Sequence, residues 1–451
     1  MSKVHPIEFR YFTEKMRNIF TEETKLQKWL DVEAALARAH AKLGDIPKSA
    51  ADEITKKANV KYVKLQRVKE IENQIHHDLM AMVKALTEVC DSNAGEYVHF
   101  GATSYDIEDT ATALQFKDAI NVIENNMKSL LKTLIMLAEK HKNTITIGRT
   151  HGQHALPTTY GMKFAIWASE LFRHLNRLEQ IKPRILVGKM SGAVGTMASF
   201  GDKGFQIQEL VMNDLGLKPV MISNQIVQRD RHAEILLLLA LISSTLDKIA
   251  REIRNLSRTE IAEISEHFKS SQVGSSTMPH KRNPHKSERI CGLARIIKSN
   301  VFPALENISL EHERDLTNSA PERIIIPESF ILLDYMLAQI NSILQGLVFN
   351  FKNIQNNLNK TQGLIMAENI MLKLTQKGMG RQSAHEILRK CAMISYQQNI
   401  PFKTILLQDN SLKNFLKPDE LDKWLDPNNY LGLSSKIVQN VINTINKFLE
   451  A

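Results

Sequence analysis

Ile235-Leu236-Leu237-Leu238-Leu239-Ala240-Leu241-Ile242 decides the fold class. It lies inside residues 220–273, which contain neither glycine nor proline. Both residues break helices, so their absence over such a length is a long-helix signature. Ile235, Leu238, Ile242, Leu246, Ile249, Ile253 and Leu256 recur at steps of three and four, which predicts a helix. The quoted stretch is apolar all round, so that helix has to be covered on every side. A bundle does this, and an oligomeric bundle does it best.

Working outward, residues 102–147 also lack glycine and proline and carry Ile120, Ile123, Met127, Leu130, Leu134 and Leu137 in the same rhythm. A third stripe, Phe330, Leu333, Leu337, Ile340, Leu344 and Leu347, begins just after Pro327. An earlier helix is expected to start near Thr21, with Glu22 and Glu23 in its first turn, and to stop at Gly44. Period-two runs are scarce. The expected fold is all-α: a long central helix bundle flanked by two smaller helical domains. Breaks near 101–104 and 354–363 divide the chain into 1–103, 104–356 and 357–451.

The 451 residues carry a net charge of +9, spread along the chain, and only 6% are aromatic. That argues against a stacking platform for nucleic acid and suits a substrate with several negative charges. No apolar run reads as long enough to cross a membrane. Residues 1–16 lack an apolar stretch of signal-peptide type. Cys90, Cys291 and Cys391 are odd in number and far apart, which fits a reducing compartment and gives no metal-ligand spacing. The expectation is a cytoplasmic protein without nucleic-acid or membrane partners.

Six polar segments interrupt the helical pattern. Gly274-Ser275-Ser276-Thr277-Met278-Pro279-His280-Lys281-Arg282-Asn283-Pro284 reads as an exposed loop rich in anion-binding donors, or as a basic surface patch. Lys281 and backbone amides would stabilise a deprotonated Ser275. Gly148-Arg149-Thr150-His151-Gly152-Gln153-His154-Ala155-Leu156-Pro157 offers His151 as acid or base. His151 and His154 have helical ligand spacing, but Gly152 and Pro157 oppose a helix there, so zinc is not expected. Thr103 and Ser104, at the start of a long helix, read as an N-cap or as an anion site. His76-His77-Asp78 reads as a fragment of a metal signature or as a surface cluster. Arg314, Ser319 and Arg323 read as anion forks or as a surface ion-pair network. Residues 224–232, just before the most apolar helix, read as a polar pocket or as a solvated helix end.

Together these segments resemble the fumarase/aspartase superfamily of elimination lyases over nearly the whole chain. Residues 274–284, 148–157 and 101–106 match its three signature regions in order. Within it, Arg10-Tyr11, Gln225 with residues 228–234, residues 312–323 and residues 425–432 make the chain similar to the adenylosuccinate lyase family. The resemblance implies elimination of fumarate from adenylosuccinate, giving AMP, and from the succinylated ribotide SAICAR, giving AICAR, without metal or cofactor. It implies Ser275 as base, His151 as acid, Lys281 and Asn283 as stabilisers of the carbanion carboxylate, and Glu288 as the group that orients the histidine. It further implies that Thr103 and Ser104 hold a succinyl carboxylate, and that Arg10, Tyr11, Arg314, Ser319 and Arg323 hold the phosphate end. His76, His77 and Asp78 would position the nucleotide, Gln225 the leaving portion, and Ser276 and Arg282 would contact substrate within a catalytic loop at 270–286. It also implies a homotetramer whose sites draw on three subunits. Tyr105 departs from the family, where small residues are common, as do Ala320 and Pro321 in the phosphate segment.

Overall fold

A computed structural model describes residues 4–91, 93–268 and 274–450. Helices dominate it, as the periodicity predicts. The 102–147 stretch forms one helix, Ser104–Lys140, about 55 Å long at 1.5 Å per residue. The most apolar segment lies in Asp230–Leu256, and the third stripe lies in Ser319–Gln345. The stripe residues Ile123, Met127, Leu134, Ile242, Ile249, Leu333 and Ile340 are fully buried.

The early helix runs over Glu22–Lys42. Thr21 caps it by accepting from the Thr24 amide at 3.2 Å. Gly44, with φ +77°, ends it, and the Asp45 amide returns to the His40 carbonyl at 2.9 Å. Pro327 is where the structure departs from expectation. The helix begins at Ser319 and continues through this proline. A proline removes one backbone donor, and burial of the flanking Ile325, Ile326 and Phe330 holds the helix across the lost bond.

The same helix corrects the membrane reading. Ser319–Gln345 is long and apolar enough to span a bilayer by composition, although its apolar run is interrupted; 67% of its most apolar window is buried inside the protein. Among the described residues the strands form three two-stranded sheets. In the longest, Ile145–Thr150 pairs antiparallel with Gln153–Thr159 where sequence periodicity suggests only a loop.

The chain forms two compact units. The first comprises Met1–Met127, Arg173–Asp247 and Ile290–Gln339. One of its cores packs Leu30, Leu36, Leu79, Met82, Ile107, Ile207 and Val211. The second comprises Lys128–Phe172, Lys248–Arg289 and Ile340–Ala451. One of its cores gathers Ile370, Leu374, Leu388, Phe402, Leu406 and Leu421.

Candidate active site

In the first unit the start of Ser104–Lys140 is locked from below. The Thr103 amide donates to Asp106 Oδ2 at 2.9 Å, and the Asp106 amide returns to the Thr103 carbonyl at 3.0 Å. The carboxylate leg is that of a capping box, with the Thr103 carbonyl in place of a hydroxyl as the other acceptor. Asp106 is fully buried and also accepts from the amides of Ser191 (2.8 Å) and Gly192 (3.1 Å) and from the buried Lys189 ammonium. Thr103 and Ser104 therefore sit on a rigid helix start, a site suited to an anion.

A cavity of about 630 Å³ opens there. Its wall brings together His76, His77, Asp78, Thr103, Ser104, Gln225, Arg314, Ser319 and Arg323. Arg10 and Tyr11 are not on this wall. Arg10 is exposed 5.6 Å from the Tyr11 ring, and that ring lies 5.7 Å from Tyr335. Arg314 Nη1 donates to Gln225 Oε1 at 3.1 Å, and its guanidinium carbon lies 3.6 Å from the Tyr105 ring centroid. Its Nε and Nη2 are buried without partners, leaving two donors of the fork for an acceptor in the cavity.

His76 and His77 play backbone roles. His76, with φ +53°, closes Leu65–Ile75, and His77 Nδ1 accepts from the Met80 amide to cap Asp78–Val89. Asp78 meets Arg323 at 2.6 Å. Burial pushes the Asp78 carboxyl up, but Arg323 outweighs it and holds the group below its ordinary value. Among the described residues no group of three or more His, Cys, Asp or Glu is placed to hold a metal.

The segment before Asp230–Leu256 is a buried charge cluster rather than a solvated helix end. Arg229 is 3% exposed; it donates to both Asp109 oxygens at 2.9 Å and to Glu322 at 2.8 and 3.2 Å. Burial opposes ionisation of Glu322, yet Arg229 and His232 bring it down to about 2. Glu108 lines both the large cavity and a smaller one of about 170 Å³. Burial, reinforced by the Asp78 charge, pushes its carboxyl up to about 7.

The second unit carries the other predicted residues. His151 and Gly152 form the two-residue turn of the Ile145–Thr150/Gln153–Thr159 hairpin, with φ of +54° and +74°. Two successive left-handed residues make a tight hairpin turn whose twist suits the strands. His151 stands exposed at the tip, a non-glycine residue in the left-handed conformation that such a turn requires. The hairpin is anchored by Glu263, which is fully buried. It accepts from Tyr160 Oη at 2.6 Å, Asn357 Nδ2 at 2.9 Å and Thr146 Oγ1 at 3.0 Å, and it pairs with Arg149, two residues before the tip.

Of the 270–286 loop, residues 270–273 lie outside the described residues. Ser275 Oγ accepts from the amides of Met278 (3.1 Å) and Thr277 (3.4 Å). Two N–H groups aimed at one hydroxyl oxygen favour negative charge there. The loop is tied to itself: Asn283 Nδ2 donates to the Gly274 carbonyl at 2.9 Å, and the Lys281 amide donates to Met278 O at 3.1 Å. Only glycine fits at 274, since a Cβ would come within 2.0 Å of the Lys281 carbonyl oxygen. Ser276 and Lys281 are exposed, and Arg282 reaches over the Phe268 ring at 5.5 Å. Glu288 is exposed in the first turn of His285–Ser299. Among the described residues no hydrogen bond joins His151, Ser275, Lys281 and Glu288 to one another.

Sequence reasoning passed over Glu108, Glu263 and Glu266 as site residues. Acidic residues inside apolar helical or strand segments were the available signal.

The family described as Lyase matches residues 8–298. Solved structures agree: a fumarate lyase from Mesorhizobium sp. BNC1 superposes with a TM-score of 0.89 and 34% identity, covering 96% of this chain and 98% of that one. The 3-carboxy-cis,cis-muconate lactonizing enzyme from Pseudomonas putida gives 0.90 and 33%, covering 99% of each. The chain is a member of the fumarase/aspartase superfamily of lyases and has its fold.

Residues 363–441 match the family described as Adenylosuccinate lyase C-terminus. The adenylosuccinate lyase of Pyrococcus abyssi is 58% identical over 442 residues, 98% of each chain. That of Methanocaldococcus jannaschii is 54% identical over 443 residues, 98% of this chain and 96% of the other. The chain belongs to the adenylosuccinate lyase family.

Proposed function

We infer that the chain cleaves adenylosuccinate to AMP and fumarate by β-elimination, and SAICAR to AICAR and fumarate, in purine nucleotide synthesis. The observation that carries this reading is near-full-length identity to adenylosuccinate lyases, together with a cavity holding a half-satisfied arginine fork. Ser275 removes the proton beside one succinyl carboxylate. The resulting aci-carboxylate is stabilised by Lys281 and Asn283. The C–N bond then breaks, His151 protonates the leaving nitrogen, Glu288 orients that histidine, and fumarate departs. Thr103 and Ser104 hold a succinyl carboxylate. Arg314, Ser319 and Arg323, with Arg10 and Tyr11, hold the phosphate. His76, His77 and Asp78 seat the nucleotide, Gln225 faces the leaving portion, and Ser276 and Arg282 contact substrate from the loop.

The working form in this reading is a cytoplasmic homotetramer whose sites draw on three subunits. Leu237 and Leu241 support oligomerisation: they remain 40% and 50% exposed in a helix otherwise largely buried. The family match at 363–441 supports 357–451 as a distinct C-terminal segment. Fumarate release from each purified substrate, followed in the ultraviolet, tests the activity. Absence of release from both would sink it. Light scattering at the mass of one or two chains would remove the tetramer.

A further inference from the structure

Glu266 has no part in the chemistry above, yet its contacts reach the catalytic segment. Its Oε1 accepts two hydrogen bonds from Ser287, one from the amide and one from the hydroxyl, both at 2.7 Å. Ser287 is fully buried in the first turn of His285–Ser299. First-turn amides of a helix have no partner within it, and a carboxylate there also meets the positive end of the helix dipole. Glu266 thus caps this helix from 21 positions earlier, just ahead of the loop. The helix starts two residues after Asn283, and Glu288 follows Ser287 directly.

The other end of the tether is rigid. Glu266 directly follows Ile264–Ser265, a strand paired with Val348–Phe349. Three residues before it, Glu263 is held by the buried network that anchors the His151 hairpin. The exit of the 274–284 segment, which holds itself together through Asn283 and Gly274, is therefore referenced to the same short strand as the hairpin.

We propose that Glu266 is a positioning residue for the elimination: by bridging the Ser287 amide and hydroxyl, it fixes the place of Lys281, Asn283 and Glu288, and through the loop's internal bonds that of Ser275. This rests on the reading of Ser275, Lys281 and Glu288 as the working groups. Misplacement by an ångström or so lowers the rate of chemistry far more than ground-state binding. Most of the residues assigned to substrate binding line the first unit's cavity and lie outside the segment that Glu266 holds.

The test is steady-state fumarate release by wild type, Glu266→Ala, Glu266→Gln and Ser287→Ala, each with circular dichroism and a melting curve. For Glu266→Ala, kcat is expected to fall about 10- to 100-fold with KM within about threefold. Glu266→Gln is expected to stay within about fivefold of wild type, because its amide oxygen accepts both bonds; Ser287→Ala falls between. If Glu266→Ala does not fold, a lowered kcat in Ser287→Ala at an unchanged melting point is the expected result. Wild-type kinetics in both Glu266→Ala and Ser287→Ala would overturn the proposal alone, as would losses that only track the fraction of folded protein. A wild type without turnover would overturn the functional reading and this proposal with it.

Discussion

The Arg314 guanidinium carbon lies over the Tyr105 ring, 3.6 Å from its centroid, while Gln225 accepts from one of its donors. Tyr105 is one of the positions where the family resemblance implies a smaller residue. Its ring holds the arginine so that Nε and Nη2 stay buried and unpaired. A desolvated cation–π contact contributes up to about 2 kcal/mol. Tyr105→Ser should therefore raise KM about 5- to 20-fold with kcat nearly unchanged, whereas Tyr105→Phe keeps the stack and stays near wild type. A Tyr105→Ser variant with unaltered KM would remove the ring from this role.

Ser275 and His151 carry the proton transfers in the proposed mechanism. Ser275→Ala and His151→Gly should each lower kcat by about a thousandfold or more, with unchanged circular dichroism and assembly size. Near-normal turnover in either variant would strip that residue of its role.

Glu108 links pH to binding. With its carboxyl raised to about 7, it is neutral in the folded protein at mildly acidic pH and charged above neutrality. Its raised folded value means that the native state binds the proton more tightly than the unfolded chain. Stability from this group is therefore fully present below the ordinary glutamate range and is lost as pH rises through about 7. Because Glu108 lines the large cavity, its charge also repels an anionic substrate. KM should rise as pH climbs past 7, and Glu108→Gln should flatten both the KM profile and this part of the stability profile. A KM profile identical in wild type and variant would exclude Glu108 as the titrating group.

The Arg229 guanidinium bonds both Asp109 oxygens, and the Val227 amide adds a bond to Oδ2 at 2.7 Å. Arg229→Met would leave Asp109 and Glu322 buried with their main cation gone, at a cost of about 3–5 kcal/mol. Urea denaturation should show the loss as a lower midpoint. Glu322 adds an acid signature: its folded value is lowered to about 2, so its stabilisation is intact above the ordinary glutamate range and is lost as pH falls toward 2. A midpoint shift well under 1 kcal/mol would place the cluster's energy elsewhere.

The long helices were legible because period and breaker absence are local properties. Thr21 and Gly44 mark the ends of Glu22–Lys42 closely for the same reason. Signature loops were legible as dense clusters of donors and turn residues. What the chain hides locally is partnership at long range. Glu263 and Arg149 are 114 positions apart, and Arg229 and Glu322 are 93 apart. Nothing near Arg229 reveals that its charge is buried. The hairpin around His151 was hidden because its strands are short, poorly alternating and interrupted by Gly148 and Pro157. Pro327 misled for the opposite reason: its breaking tendency is local, while the burial that overrides it is not.

His151 sits where the backbone is left-handed. Few side chains tolerate that conformation, and glycine tolerates it best. Alanine at 151 would confound lost chemistry with backbone strain, while glycine would keep the turn and vacate the place of the ring. His151→Gly supplied with free imidazole is thus a natural chemical-complementation experiment. The same geometry gives a descendant an easy exit from catalysis: its hairpin could outlive its imidazole, leaving an intact scaffold with a silent site.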